Sequence, residues 1–519
     1  MSIISLVGTH LRDAATCRRA QPGGGSPFLG VRDLILLRAV YALFALWLAL
    51  YGVQALALTI LYWRRRAETP AAVPIAEDAW PKAAVQLPIF NEQHVVERLM
   101  DAAAGLDYPA DRLEIQVLDD STDETSALAE ARAAALRGRG VNVRVLRRGE
   151  RSGFKAGALA WGLAHTDAEF VAVFDADFQP HPDFLRRTIP VLVAHPEAGM
   201  AQTRWSHLNA AYSPLTRAQA LALDGHFVVE QTGRNRSGLL INFNGSGGVW
   251  RRACIEAAGG WQADTMTEDM DLSYRAQLAG WRCLYLPDVE APAELPPQIE
   301  AFKRQQARWA QGATQCLRKL GPQIVGSHLS PIQKLAALVH IGSYLAQPLM
   351  VGLLLLTLPL LGQPQMLQMP LAALLVVVLA APLLYTVGQA ALYHDWPRRI
   401  AYLPVLILMG AGIAWSTTRA VWQGGVRWGG VFARTPKFRI EGRRGDWSAS
   451  RYRLAPDGTV IGEAALALYA AVGLAVAWSR GFYGAMPLLA LYTAGFGLVA
   501  GLTLWQARGG LDSSCTSPP

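Results

Sequence analysis

The chain has 519 residues, 52% of them hydrophobic and only 17% charged, a composition too apolar for a wholly water-soluble protein of two or three domains. Its net charge of +8 is gathered in short clusters such as Arg64-Arg65-Arg66 and Arg443-Arg444, which resemble the cytoplasmic flanks of membrane helices and need no nucleic-acid partner to explain them. Five cysteines, Cys17, Cys254, Cys283, Cys316 and Cys515, lack CxxC spacing and paired histidines, which argues against a zinc site or a disulfide framework.

Residues 1–33 are polar, with a glycine break at Gly23 to Gly25, and read as a tail without assigned function. A charge-free run between Arg38 and Arg64 then predicts a membrane helix over 34–63. It is too long for the apolar core of a signal peptide and has no small-residue cleavage site after it, so it is expected to remain as an anchor. Trp63-Arg64-Arg65-Arg66 favours a cytoplasmic location for the segment beyond residue 66, although Arg12, Arg18, Arg19 and Arg32 reduce the contrast across the span.

From about 80 to 330 short apolar runs alternate with amphipathic segments, the pattern of an α/β domain. Strands are predicted at 83–88, 113–118, 141–146 and 170–174. The first ends in Pro88-Ile89-Phe90-Asn91-Glu92, the second in Asp119-Asp120-Ser121-Thr122-Asp123, and the fourth in Asp175-Ala176-Asp177. Ligands of such sheets sit beyond the carboxyl ends of the strands. Any one of these ends can be read as a helix cap, with Asn91 or Ser121 capping and Glu124 completing a capping box. Three acidic strand ends together suit a nucleotide pocket better, with carboxylates taking base and ribose donors. Asp175 and Asp177 turn to one side, where two anions repel unless a cation or a sugar hydroxyl lies between them, and a divalent metal bridging a diphosphate fits that need. The absence of GxGxxG and GxxxxGK[ST] disfavours a dinucleotide dehydrogenase and a P-loop NTPase.

Lys155 opens a helical segment after a basic, glycine-containing loop and is placed to meet a diphosphate, or else stands as a solvated first-turn lysine. The glycine-rich 243–251 segment ends in Trp250-Arg251, a setting for close approach by a planar sugar, or a simple turn. Thr267-Glu268-Asp269 begins a helix, where a carboxylate is stabilised and can be aimed into a cleft or serve as a cap. Gln305, Arg308 and Trp309 fall within one helical turn. A guanidinium there can clamp a diphosphate and an indole can lie on a pyranose, or the two can stack on each other.

The motifs PIFNE, QVLDDSTDE, KAGAL, FDADF, FNGSGGVWR, EDMDLSYRA and QQARW, in this order between membrane segments, resemble processive family 2 glycosyltransferases. The resemblance runs from about 83 to 440 and is strongest to the plant-type cellulose synthase-like A and C enzymes, which make β-mannan, glucomannan or β-glucan backbones. It extends to Phe432-Ala433-Arg434-Thr435-Pro436-Lys437, similar to a gating loop of pattern FxVTxK, with Arg434 where the pattern has Val. It implies a nucleotide-sugar-binding, glycosyltransferase A-type domain joined to a transmembrane helical bundle. Nucleotide contacts are implied for Asn91, Glu92, Asp119, Asp120, Lys155, Asp175, Asp177, Gln305, Thr435 and Lys437, with Mg²⁺ or Mn²⁺ on Asp175 and Asp177. Asp269 would be the base and Arg308 would stabilise the leaving diphosphate. Glu268, Trp250 and Trp309 would meet the acceptor. The implied reaction is inverting transfer of hexose from UDP-glucose or GDP-mannose to a growing β-linked polysaccharide, coupled to its translocation across the inner (plasma) membrane.

The remaining organisation is an interface helix and two spans in 331–395, turning at Gln363-Pro364-Gln365, an interface helix and the gating loop in 398–460, two spans in 462–508, and a tail at 509–519. Hydropathy alone would make 400–418 a further span. Crossing there would carry Thr435 and Lys437 to the side opposite the nucleotide, so five spans are expected, with 400–418 along the cytoplasmic face. Three rivals stand against this reading. A membrane glycoside hydrolase also needs paired carboxylates but no nucleotide pocket. A non-processive enzyme that glucosylates a membrane lipid shares several of the motifs. A transporter accounts for the spans and leaves the acidic insert unexplained.

Overall fold

The computed structural model describes residues 31–361, 368–430 and 434–508. The tail up to residue 30, the turn at Gln363 to Gln365, Phe432 and Ala433 of the loop motif, Cys17, Cys515 and the tail from 509 lie outside them. Cys254, Cys283 and Cys316 are buried free thiols.

Seven strands form one mixed sheet: β1 Ala83–Ile89, β2 Leu113–Asp119, β3 Val143–Arg147, β4 Phe170–Val173, β5 Ala198–His207, β6 Gly248–Arg251 and β7 Arg282–Ala293. Their spatial order is β3-β2-β1-β4-β6-β5-β7, with only β6 running against its neighbours. The predicted strands correspond to the first four. Alternation divides the apolar side chains between two faces. Val85, Leu87, Phe170 and Ala172 pack under the helices Val96–Ala104, Thr125–Arg137 and Phe184–Ala194, while Val171, Val173 and Trp250 face the helices Phe154–Ala164 and Glu268–Leu278. Gln86 and Gln116 point to the second face, where the Gln86 amide donates to Gln116 at 3.0 Å. Gly162 of the covering helix leaves them room, since a Cβ there would lie 2.5 Å from Gln86 Nε2.

The parallel register pairs Ile89 with Asp119 and Gln86 with Val173, so the carboxyl ends of β1, β2 and β4 open on one edge. Asn91 and Ser121 are not helix caps. The Asn91 N–H donates to Ser121 Oγ at 2.9 Å and Asn91 Oδ1 accepts from the Thr122 N–H at 2.8 Å, which laces the first two strand exits together. Asn91 does so at φ 56°, in the left-handed region that asparagine tolerates better than most residues.

Four described helices are long and apolar enough to cross a membrane: Arg32–Arg65, Ser343–Leu360, Thr459–Ser479 and Tyr483–Arg508. A further helix, Gln368–Leu392, has 25 residues. The predicted interface segment is a helix pair, Trp396–Gly412 and Ala414–Val426, bent by 46°. Both of its arms meet helices of the sheet-containing region. Arg217 lies over the Tyr402 ring at 4.9 Å, and Arg318 donates to the Gly424 carbonyl at 2.8 Å. The helix Ile299–Gly326 is tied to the bundle by a buried Lys303–Glu463 pair at 2.9 Å. Loss of one partner from such a pair would cost about 3–5 kcal/mol.

Candidate active site

Beyond the strand exits lies an open cleft. Of the residues singled out from the sequence, Glu92, Asp120, Lys155, Asp175, Asp177, Glu268, Asp269, Gln305, Arg308, Trp309, Thr435 and Lys437 line it. Three others do not. Trp250 is a core residue, 0% exposed, with its ring edge-on to Phe243 and Trp261, because the central antiparallel strand β6 turns its indole inward. Asp119 is buried behind the cleft, accepting from the Ser121 N–H at 2.8 Å with Arg147 at 3.5 Å. Asn91 serves the lacing of the first two strand exits.

Lys155, in the first turn of the helix Phe154–Ala164, organises the centre. Its ammonium lies 2.6 Å from Asp175 Oδ1 and 3.7 Å from Glu268, and donates to the Gly245 carbonyl at 2.8 Å. Burial works against that charge, but Asp175 and Glu268 outweigh it and hold Lys155 above the usual lysine range. Asp269 stands at the opening of the helix Glu268–Leu278, where its Oδ1 accepts from the Met270 N–H at 2.8 Å. Burial, reinforced by neighbouring Glu268, pushes its carboxyl up to about 7 against the opposing pull of Lys155 and Arg308. A carboxyl poised near neutrality at the rim of a cleft is suited to accept a proton there. Gly245, at φ +85°, lets the backbone approach Asp269, since a Cβ would lie 2.8 Å from Asp269 Oδ2. Arg308 comes from the helix Ile299–Gly326. Burial lowers its pKa, while Glu268, Asp175, Asp269 and Asp177 act to hold the charge on it.

The two aspartates of the fourth strand exit are each matched to a separate lysine, Asp175 to Lys155 and Asp177 to Lys437 at 2.7 Å. Among the described residues no group of three or more His, Cys, Asp or Glu could hold a metal ion. Two carboxylates nevertheless suit a divalent cation of the Mg²⁺ or Mn²⁺ kind, which takes its other donors from substrate phosphates and water. Asp120 is held in both its oxygens by Arg148, at 3.0 and 2.5 Å.

Sequence reasoning missed several lining residues. Arg434 was visible only as a departure from the loop pattern, yet its guanidinium donates to Glu92 at 3.1 Å and covers the Tyr452 ring at 3.9 Å. Glu92 is buried, and that burial pushes it up to about 8 in spite of Arg434 and Lys437. Glu294, also raised by burial, accepts from the Phe438 N–H at 2.8 Å and so anchors the loop after Lys437. Arg151 lies over the Phe90 ring at 3.4 Å. It belongs to the basic loop before Lys155, the one signal that pointed to it. Trp205 and His207 come from β5, a strand without a clean alternating pattern.

Residues 81–312 match the family described as Glycosyltransferase like family 2. Glucomannan 4-beta-mannosyltransferase 2 of Arabidopsis thaliana is 44% identical over 275 residues, 51% of this chain and 52% of the relative. Glucomannan 4-beta-mannosyltransferase 1 of Oryza sativa subsp. japonica is 44% identical over 255 residues, 48% of this chain and 49% of that one. The chain thus spans about half the length of the curated relatives it matches. A solved mannosyltransferase, PcManGT from Pyrobaculum calidifontis in complex with GDP-Man and Mn2+, aligns with 75% of this chain and 99% of its own at 22% identity and a TM-score of 0.47.

Proposed function

We propose that this chain, in which residues 81–312 form a glycosyltransferase family 2 domain, is a membrane-embedded inverting hexosyltransferase that extends a β-linked polysaccharide from a nucleotide sugar. The observation that carries the reading is the convergence of Lys155, Asp175, Asp269 and Arg308 in one cleft at the strand exits, two cations and two carboxylates arranged around a space for a diphosphate and a sugar. GDP-mannose is favoured as donor by the similarity to glucomannan mannosyltransferases, with UDP-glucose as the second candidate.

In this mechanism Asp269 removes the proton from the acceptor hydroxyl as that oxygen attacks the anomeric carbon, and the bond to the diphosphate breaks on the opposite side. A single displacement inverts an α-linked donor, so the new linkage is β. Lys155 and Arg308 meet the charge that develops on the departing diphosphate, and Gln305 adds an amide donor. Asp175 and Asp177 would hold the divalent ion, whose contribution is to screen the diphosphate charge. Glu92, Asp120 and Thr435 contribute the nucleotide side, and Trp309 offers its face to the acceptor sugar. The catalytic domain lies at the cytoplasmic face of the plasma membrane in this reading.

The test is donor competition with purified enzyme, GDP-mannose against UDP-glucose, with subsequent digestion of the product by a β-mannanase or a cellulase. Label passing into a digestible polymer from either donor supports the reading, and the enzyme that digests it names the sugar. No transfer from either donor would overturn it.

A further inference from the structure

We propose that His207 is a specificity-determining acceptor contact, presenting Nδ1 to a hydroxyl of the acceptor sugar while Asp224 and Gln389 fix its ring. His207 ends β5 and lines the cleft, with its side chain only 3% exposed. Its Nε2 lies 2.9 Å from Asp224 Oδ1, and the buried carboxylate accepts a second hydrogen bond at Oδ2 from Gln389, at 2.7 Å. In the neutral imidazole, a hydrogen on Nε2 facing that carboxylate leaves a lone pair on Nδ1. Among the described residues no protein group bonds Nδ1. Such a carboxylate behind an imidazole fixes ring orientation and tautomer.

The backbone is shaped to make this arrangement. Asp224 closes the helix Pro214–Asp224 at the point where it passes into a π-helical stretch, Gly225–Gln231, a geometry common at functional sites. Gly225 and Gly388 let the helix Gln368–Leu392 come close enough for Gln389 to reach. A Cβ on Gly388 would lie 3.1 Å from the Gly225 Cα. The membrane-helix bundle therefore reaches the cleft wall through one continuous hydrogen-bonded chain.

The acceptor, and not the donor, is the partner on two grounds. The phosphate-facing cations Lys155 and Lys437 are already matched to Asp175 and Asp177, and His207 stands in neither pair. Leu223 and Leu295 line the same cleft, and Asn209 donates to the Leu295 carbonyl at 2.9 Å. An apolar wall with one fixed acceptor atom is how a protein grips a pyranose while selecting the orientation of a hydroxyl.

The inference rests on the proposed transferase activity, and its test separates the two. Acceptor and donor kinetics are measured for wild type, His207→Phe, His207→Asn and Gln389→Met, using β-manno- and cello-oligosaccharides as acceptors. His207→Phe should raise acceptor KM about tenfold, the worth of one lost hydrogen bond. Donor KM and hydrolysis of donor by water should stay within about twofold. His207→Asn, which puts an amide oxygen near the place of Nδ1, should restore most of the affinity. Gln389→Met, distant from substrate, should raise acceptor KM about threefold by loosening Asp224. Unchanged acceptor KM in the Phe and Met variants, or a parallel rise in donor KM, would overturn the role of His207 while leaving the transferase intact. Wild type without transfer from either donor would remove both.

Discussion

Lys437 donates to Asp177 at 2.7 Å across 260 residues of sequence, so a segment that follows the bent helix pair closes directly on the aspartate pair at the centre of the sheet. Three more contacts fasten it: Arg434 to Glu92, the Phe438 N–H to Glu294, and Glu441 to Arg98 at 3.0 Å. The loop is thereby part of the cleft wall, and its cations sit on the carboxylates that a nucleotide diphosphate and its metal would use.

The Arg434–Glu92 contact is largely shielded from solvent. A double-mutant cycle with Arg434→Ala and Glu92→Gln should give a coupling of about 1–3 kcal/mol in donor kcat/KM. Simple additivity of the two single variants would show that the contact has no part in donor use.

Asp269→Asn should lower transfer by about 10²–10⁴-fold and leave binding of nucleoside diphosphate within a few-fold of wild type. Burial, with Glu268 beside it, pushes that carboxyl up to about 7. The base must be unprotonated to act, so kcat/KM should rise with pH, falling about tenfold per unit below that value and levelling above it. A flat profile between pH 5.5 and 8, or substantial turnover by the Asn variant, would take Asp269 out of the role.

Removal of divalent cations should abolish transfer, with Mn²⁺ or Mg²⁺ restoring it. Asp177→Ala should raise donor KM and lower kcat together, because it would remove a proposed ligand of the ion as well as the partner of Lys437. Full activity in EDTA would contradict the assignment of Asp175 and Asp177.

Much of the site was legible in the sequence wherever local chemistry and tertiary position coincide. β1, β2 and β4 are apolar runs that end in polar residues, and a parallel sheet places such ends together, so Glu92, Asp120, Asp175 and Asp177 could be grouped before any coordinates. Lys155 and Asp269 stood out as helix starts. β5 was missed because AGMAQTRWSH mixes buried polar and apolar residues, since Gln202 and Thr203 are satisfied inside by the backbone around Gly247. Trp250 was misplaced for a related reason. Its position after a glycine-rich loop says nothing about which face of a four-residue strand it occupies. The Arg434–Glu92 pair, 342 residues apart, has no local signature at all.

The attachments of 396–426 support a segment that stays on one side of the membrane. Tyr402 lies under Arg217, Gly424 is held by Arg318, and Lys437 reaches Asp177. Entry and exit are thus on the catalytic side, and the bent pair should dip toward the membrane without crossing it. A single cysteine at exposed Ala449, in a cysteine-free background, should react in intact cells with a membrane-permeant maleimide and resist an impermeant one. Labelling by the impermeant reagent would place the loop outside and remove Thr435 and Lys437 from the site.

The most direct test is the fate of label from GDP-mannose and UDP-glucose incubated with membranes carrying either wild-type enzyme or Asp269→Asn. Wild type should convert label into ethanol-insoluble material that a β-mannanase or a cellulase releases, and the Asn variant should yield none above background. Label recovered only in chloroform-soluble lipid, or equally from both proteins, would contradict a β-linked polymer made by this cleft.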